Sequence, residues 1–203
     1  MITLYHHPYT RAANVVWMLE EVGVPYELAF VDIMAGAQKA DELLTKNPMG
    51  KLPTLVDDGV VLTESAAIAL YLGDRYGVPG LAPALDDPRR GAYLRWSFFA
   101  PSVIEPNLMA KANGWTYKEG QAGWGNHEAM LTALESAVTG DFVLGDQFSM
   151  ADCVLGGTLR YMLRFKMIEP RDAFVAYAER LSQRPASQRA EAINARVAAE
   201  RLG

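Results

Sequence analysis

Thr54-Leu55-Val56-Asp57-Asp58-Gly59-Val60-Val61-Leu62 decides how the first third of the chain folds. Two β-rich runs, Thr54 to Val56 and Val60 to Leu62, flank Asp57-Asp58-Gly59. Asp and Gly tolerate left-handed turn geometry, so the stretch reads as a tight hairpin. Upstream, Ile2 to Tyr5 is a short strand that Pro8 and Tyr9 break. Arg11 to Val22 then reads as a helix with Val15, Val16, Leu19 and Val22 on one apolar stripe, stopped by Gly23 and Pro25. Tyr26 to Ile33 is a second strand, and Ala35 to Lys46 a weaker, short helix ended by Asn47-Pro48. Downstream, Glu64-Ser65 opens a helix that runs through Ile68 and Tyr71 and stops near Gly77. The order is β-α-β-α-β-β-α. A parallel pair needs a helical crossover and an antiparallel pair a tight hairpin, so residues 1–78 should form a mixed four-stranded sheet with three helices.

Val78 to Pro88 holds three prolines, a glycine and two aspartates, and 79–87 reads as a linker. Beyond it every periodic segment is helical: Asp87 to Ala112, Gly125 to Thr139, Ser149 to Phe165, Asp172 to Gln183 and Pro185 to Leu202. Residues 88–203 are therefore expected as an all-α domain. Met150 to Leu163 is apolar on nearly every face and should be buried at its centre. The last helix, rich in Arg, Glu and Ala, should lie on the surface.

The totals exclude several classes. With a net charge of −5 and no basic block, a nucleic-acid footprint is not expected. The one cysteine, Cys153, allows neither an internal disulfide nor a Cys-x-x-Cys redox pair. No apolar run approaches the roughly 20 residues that span a bilayer. The first residues lack the basic start and apolar run of a signal peptide. A cytoplasmic protein without membrane or metal partners is the expectation.

Four constellations could carry chemistry. In Gly50-Lys51-Leu52-Pro53-Thr54-Leu55, proline before a strand leaves Leu52 extended, with main-chain groups free to pair with a peptide-like ligand; a plain loop leading into a strand has the same sequence. At Glu64-Ser65 a helix N-terminus attracts carboxylates. Ser65 could cap the helix or bond a ligand carboxylate, and Glu64 could accept from a ligand ammonium group. At Pro8-Tyr9-Thr10-Arg11 the Thr10 hydroxyl could cap a helix or donate to a thiolate, with Tyr5 a competing donor. The neighbouring His6 and His7 could titrate near neutrality. In Phe148-Ser149-Met150-Ala151-Asp152-Cys153, Ser149 and Asp152 form a variant capping box with Phe148 and Cys153 at its staple positions, a structural motif. Trp96, Phe98, Phe99, Met109, Trp115, Tyr117 and Trp124 could line an apolar pocket, the core or a dimer interface.

Together these residues resemble the glutathione S-transferase family. Asn47-Pro48-x-Gly50-Lys51-x-Pro53, Glu64-Ser65-Ala66-Ala67-Ile68 and the Ser149-Met150-Ala151-Asp152 cap occur in the family's order and spacing, and Arg184-Pro185-Ala186 is similar to bacterial members. The resemblance is to theta- or beta-like cytosolic members. It implies a thioredoxin-like first domain, an α-helical second domain and a homodimer. It also implies glutathione as co-substrate and a small hydrophobic electrophile as its partner. On it, Pro53 should be cis and Leu52 should pair with the cysteinyl part of glutathione. Glu64 and Ser65 should hold the γ-glutamyl end, with Lys51 and Gln38 as further contacts. Thr10 lies where serine classes keep serine and oxidoreductase-like classes keep cysteine, and Tyr5 where tyrosine classes keep their donor. A hydroxyl at a helix N-terminus gains both a bond and the dipole, which favours Thr10. The implied activity is thiolate activation and conjugation. Glutathione-dependent isomerase, lyase or peroxidase chemistry, or non-catalytic binding on the same fold, remain alternatives.

Overall fold

The computed structural model describes residues 1–203. The chain forms two compact units: Met1–Tyr76 with Arg184–Gly203, and Gly77–Gln183.

The first unit is built on a four-stranded sheet of order β2-β1-β3-β4, with β1 at Ile2–His6, β2 at Tyr26–Phe30, β3 at Thr54–Asp57 and β4 at Val60–Thr63. β1 pairs parallel with β2 across the helical crossover α1 (Ala12–Val22), and antiparallel with β3. Asp57 pairs with Val60, so Asp58-Gly59 is a two-residue turn. Both residues have positive φ, 47° and 87°, the geometry of the turn read from the sequence. Alternation along β1 buries Ile2, Leu4 and His6 on one face. Tyr5 points to the other face, where α2 (Asp41–Leu44) supplies the partner of its hydroxyl.

α1 buries the expected Val15, Val16, Leu19 and Val22, together with Trp17 and Met18. It ends at Gly23, where φ is 73° and the N–H returns to the Leu19 carbonyl. The expected helix over 35–46 is two short pieces, a 3₁₀ turn at Ala37–Lys39 and the single turn of α2. α3 (Ser65–Tyr76) is tied to the hairpin by Asp57, which is 1% exposed and accepts from Tyr71, Arg75 and Tyr76 at 2.7–3.0 Å. Burial raises this carboxyl and the three donors more than offset it, so it lies below the usual carboxylate range.

The second unit is helical. α4 (Arg90–Phe99) and α5 (Glu105–Ala112) are joined by a π-helical turn over Ala100–Ile104. Pro101 and Pro106 lack the N–H groups a continuous α-helix would use, so the expected single helix is interrupted there. α6 (His127–Ala137), α7 (Met150–Arg164) and α8 (Asp172–Ser182) follow. α7 is buried as expected, from Met150 through Gly156 without a break. Its N-terminus is closed by the Ser149–Asp152 box, and Asp152 also accepts from the Val143 N–H and the Tyr177 hydroxyl. Gly156 lets α8 approach, since a Cβ there would fall 2.1 Å from Leu181 Cδ1.

One boundary differs from expectation. The last helix, α9 (Pro185–Leu202), does not group with residues 88–183 but packs on α1. Arg184 bonds Glu21 at 2.7 and 2.8 Å, Arg189 bonds Glu20 at 2.6 Å, and Asn194 donates to the Ala13 carbonyl. Its polar composition predicted a surface helix, which hid a narrow buried strip at Ala186, Ser187 and Ala190.

Candidate functional site

Sheet register gathers the candidate residues. Thr54 is opposite both Tyr5 and Thr63, so the end of β1, the start of β3 and the end of β4 lie at one edge of the sheet. Leu52-Pro53 leads directly into Thr54, Glu64-Ser65 directly follows Thr63, and Thr10 lies in the turn beyond β1. Residues distant in sequence therefore converge because three strands share one end.

The Leu52-Pro53 peptide is cis. The loop before it is organised by Asn47, 4% exposed, whose amide donates to the Lys51 carbonyl at 2.9 Å and to Thr54 Oγ1 at 3.2 Å and whose Oδ1 accepts from the Met49 N–H. By sequence, Asn47 is a helix stop and the first residue of the family motif; the side-chain-to-backbone turn that Asn favours is the signal for its role in organising the loop. Gly50, at φ 59°, sits so close to the 3₁₀ turn that a Cβ would lie 2.7 Å from the Gln38 carbonyl. That approach brings Gln38 to the loop, where its side-chain Oε1 is enclosed without a partner. Lys51 is exposed, and only its carbonyl is engaged. Leu52 makes no main-chain hydrogen bond within the chain.

At the head of α3, Glu64 stands at φ 66°, a conformation rare outside glycine, and its carbonyl accepts from the Ile68 N–H at 3.0 Å. Glu64 is therefore the capping position and Ser65 the first helical residue. The Ser65 hydroxyl is buried and has no partner. A capping serine would have spent it on the backbone. Here a donor, the first N–H groups of a 12-residue helix and an adjacent carboxylate remain, a set matched to the carboxylate and ammonium of an α-amino acid.

Thr10 and Tyr5 are both engaged. The Thr10 hydroxyl donates to the His7 carbonyl at 2.9 Å and accepts from the Ala12 N–H at 3.2 Å, in the first turn of α1. Tyr5 donates to Glu42 at 3.1 Å, with the Lys46 ammonium over its ring. His6 and His7 are buried, at 0% and 1% exposure, rather than poised at the surface. Burial lowers both pKa values. His6 bonds Asn194 at 2.7 Å, and His7 stacks on Phe30 and accepts from the Tyr9 N–H. The aromatic residues of the second unit do not form one cluster: Trp96 is buried against Phe99, Tyr117 meets Trp124, and Phe98, Met109 and Trp115 are exposed.

The fold is a thioredoxin-like unit with a four-stranded mixed sheet, followed by helices. Residues 1–74 match the family profile of the glutathione S-transferase N-terminal domain, and residues 118–185 match that of the C-terminal domain. A crystal structure of a glutathione transferase from Methylococcus capsulatus superimposes with a TM-score of 0.80 at 30% identity, covering 96% of this chain and 99% of that one. Glutathione S-transferase 3 of Schizosaccharomyces pombe is 40% identical over 112 residues, 54% of this chain and 45% of that protein. Maleylacetoacetate isomerase of Rattus norvegicus is 31% identical over 153 residues, 71% of this chain and 70% of that protein. This chain belongs to the glutathione S-transferase family. No helix in it is long and apolar enough to cross a membrane.

Proposed function

We propose that this protein is a glutathione transferase that holds glutathione at the Leu52–Ser65 edge and uses Thr10 to stabilise its thiolate for attack on a small apolar electrophile. The carrying observation is the buried, unpartnered Ser65 hydroxyl at the head of α3 beside Glu64. Ser65 and the α3 N–H groups fit the γ-glutamyl carboxylate, and the Glu64 carboxylate fits its ammonium. The free main chain of Leu52 fits the cysteinyl backbone as an added strand would. Gln38 and Lys51 serve the glycine end. This leaves the sulfur for the turn at Thr10, at the same sheet edge.

A thiol has a pKa of about 8.5, so little of it is ionised at neutral pH without help. Thr10 supplies a hydroxyl donor at the positive end of α1. Its bond to the His7 carbonyl is local, and rotation of the hydroxyl redirects the proton to sulfur while the Ala12 N–H stays bonded to the oxygen. Tyr5 is the poorer choice, because a thiolate at its hydroxyl would stand beside the Glu42 carboxylate. The protein supplies position and anion stabilisation, and glutathione supplies the nucleophile. A cytoplasmic homodimer completes the reading.

The isomerase relative favours a second reading of the same site, in which the thiolate adds to an activated double bond and is expelled after rotation. Glutathione is then recovered, whereas conjugation consumes it. Thiol consumption with a panel of electrophiles and activated cis-alkenes separates the two, and no turnover of either leaves a binding protein. Thiolate absorbance tests the donor. Losing one hydrogen bond to a charged group costs about 1.5–3 kcal/mol, so Thr10→Val should raise the bound thiol pKa by about 1–2 units. Tyr5→Phe should leave it unchanged. The opposite pattern assigns the role to Tyr5.

A further inference from the structure

The second unit carries a cleft of about 520 Å³ at the head of α6, remote in sequence from the glutathione-binding residues. Three side chains in it form a directed chain of hydrogen bonds. The Lys111 Nζ is 2.8 Å from His127 Nε2, and His127 Nδ1 is 2.8 Å from Asn107 Oδ1. A lysine ammonium can only donate, so His127 Nε2 is the acceptor and Nδ1 carries the proton. Burial first, and the Lys111 charge second, lower the His127 pKa, in keeping with a neutral ring. The Asn107 oxygen must therefore face His127. Its amide nitrogen is left enclosed and unpartnered on a residue only 1% exposed that lines the cleft.

Both ends of this chain are donors without acceptors. Lys111 makes no ion pair and keeps two N–H bonds. Asn126 caps α6 by accepting from Ala129, which leaves the N–H groups of His127 and Glu128 as further donors at the positive helix end. Two carboxylates also line the cleft, each holding a donor of its own: Glu119 accepts from Asn126 at 3.0 Å, and Glu128 pairs with Arg171 at 3.1 Å. The cleft also presents Trp115, a large apolar side chain 54% exposed, and the Tyr117 ring, whose hydroxyl is turned away to the Gly125 carbonyl.

We propose that this cleft binds a small organic carboxylate with a flat apolar body. The carboxylate takes the Asn107 amide, the Lys111 ammonium and the first α6 N–H groups, and the body lies on Trp115 and Tyr117. The unpartnered Asn107 amide, the Lys111 ammonium and the first α6 N–H groups are all donors, so an anionic oxygen satisfies them and a cation does not.

Benzoate is the probe, titrated into the full-length protein and followed by amide and indole NMR shifts. Saturable shifts are expected at His127, Glu128 and the Trp115 indole. Lys111→Gln and Asn107→Asp, which keeps the His127 bond but replaces the donor by an anion, should each weaken binding at least about tenfold. Ser65→Ala should leave it unchanged, and neutral benzamide should bind at least about tenfold more weakly. Absent saturation at these groups, equal binding of benzamide, unaltered affinity in both cleft variants, or loss in Ser65→Ala would each overturn the proposal.

Discussion

Two helix starts in this molecule look alike in sequence and differ in what they do. Both place a serine and an acidic residue at the head of a long helix, Ser149 with Asp152 at α7 and Glu64 with Ser65 at α3. At α7 both side chains are used inside the chain. Asp152, fully buried, accepts from the Ser149 N–H and hydroxyl, the Val143 N–H and the Tyr177 hydroxyl. At α3 the serine is one position further in, the acid sits in a left-handed conformation, and the hydroxyl is enclosed with nothing to bond. A saturated cap holds a fold together, and an unsaturated one leaves its hydroxyl free to bond a ligand. The serine has moved in by one residue, and the acid from the third helical position to the cap.

The largest test of the contrast is Asp152→Ala. It strips the acceptor from four donors in the core of the helical unit, and a buried donor left unsatisfied costs about 1–3 kcal/mol. Denaturant unfolding should show a midpoint far below the parent, and a loss under about 1 kcal/mol would mean that the network is dispensable. Ser65→Ala should do the reverse. Stability should stay within about 0.5 kcal/mol, since no internal bond is lost, while calorimetric affinity for glutathione falls roughly tenfold. A stability loss like that of Asp152→Ala would show that Ser65 is a cap after all. Smallest is Glu64→Gly. Relief of the positive φ should raise stability by up to about 1 kcal/mol while glutathione binding weakens. Thermal unfolding beside binding would reveal the opposed signs, and a drop in both would deny that strain is kept there for function.

Much of this was legible along the chain. The hairpin at Asp58-Gly59, the βαβ crossover, the stop at Gly23 and the buried α7 are local matters: turn residues with permitted φ values and apolar periodicity act over a few positions. As candidates, Leu52, Glu64, Ser65 and Thr10 stand out at element boundaries, whereas Gln38 and Lys51 are named only by the family resemblance. Less legible were the short pieces over 35–46 and the break at Ala100–Ile104, where weak periodicity and two prolines leave several local solutions. Asn47 was seen as a helix stop, but its bonds to Lys51 and Thr54 exist only once the loop has folded back.

The sequence by itself determined the element order, the mixed sheet and the chemical types at the site, because these follow from propensity, pattern and spacing. Only the tertiary structure decided that α9 joins the sheet unit, since Arg184, Arg189 and Asn194 find partners on α1 more than 160 residues away. It also decided which hydroxyls are already engaged. A serine, threonine or tyrosine reads the same whether or not its bond is made. Ser65 was left free, Thr10 was bonded to its own turn and Tyr5 was turned toward Glu42 by packing that no single segment encodes.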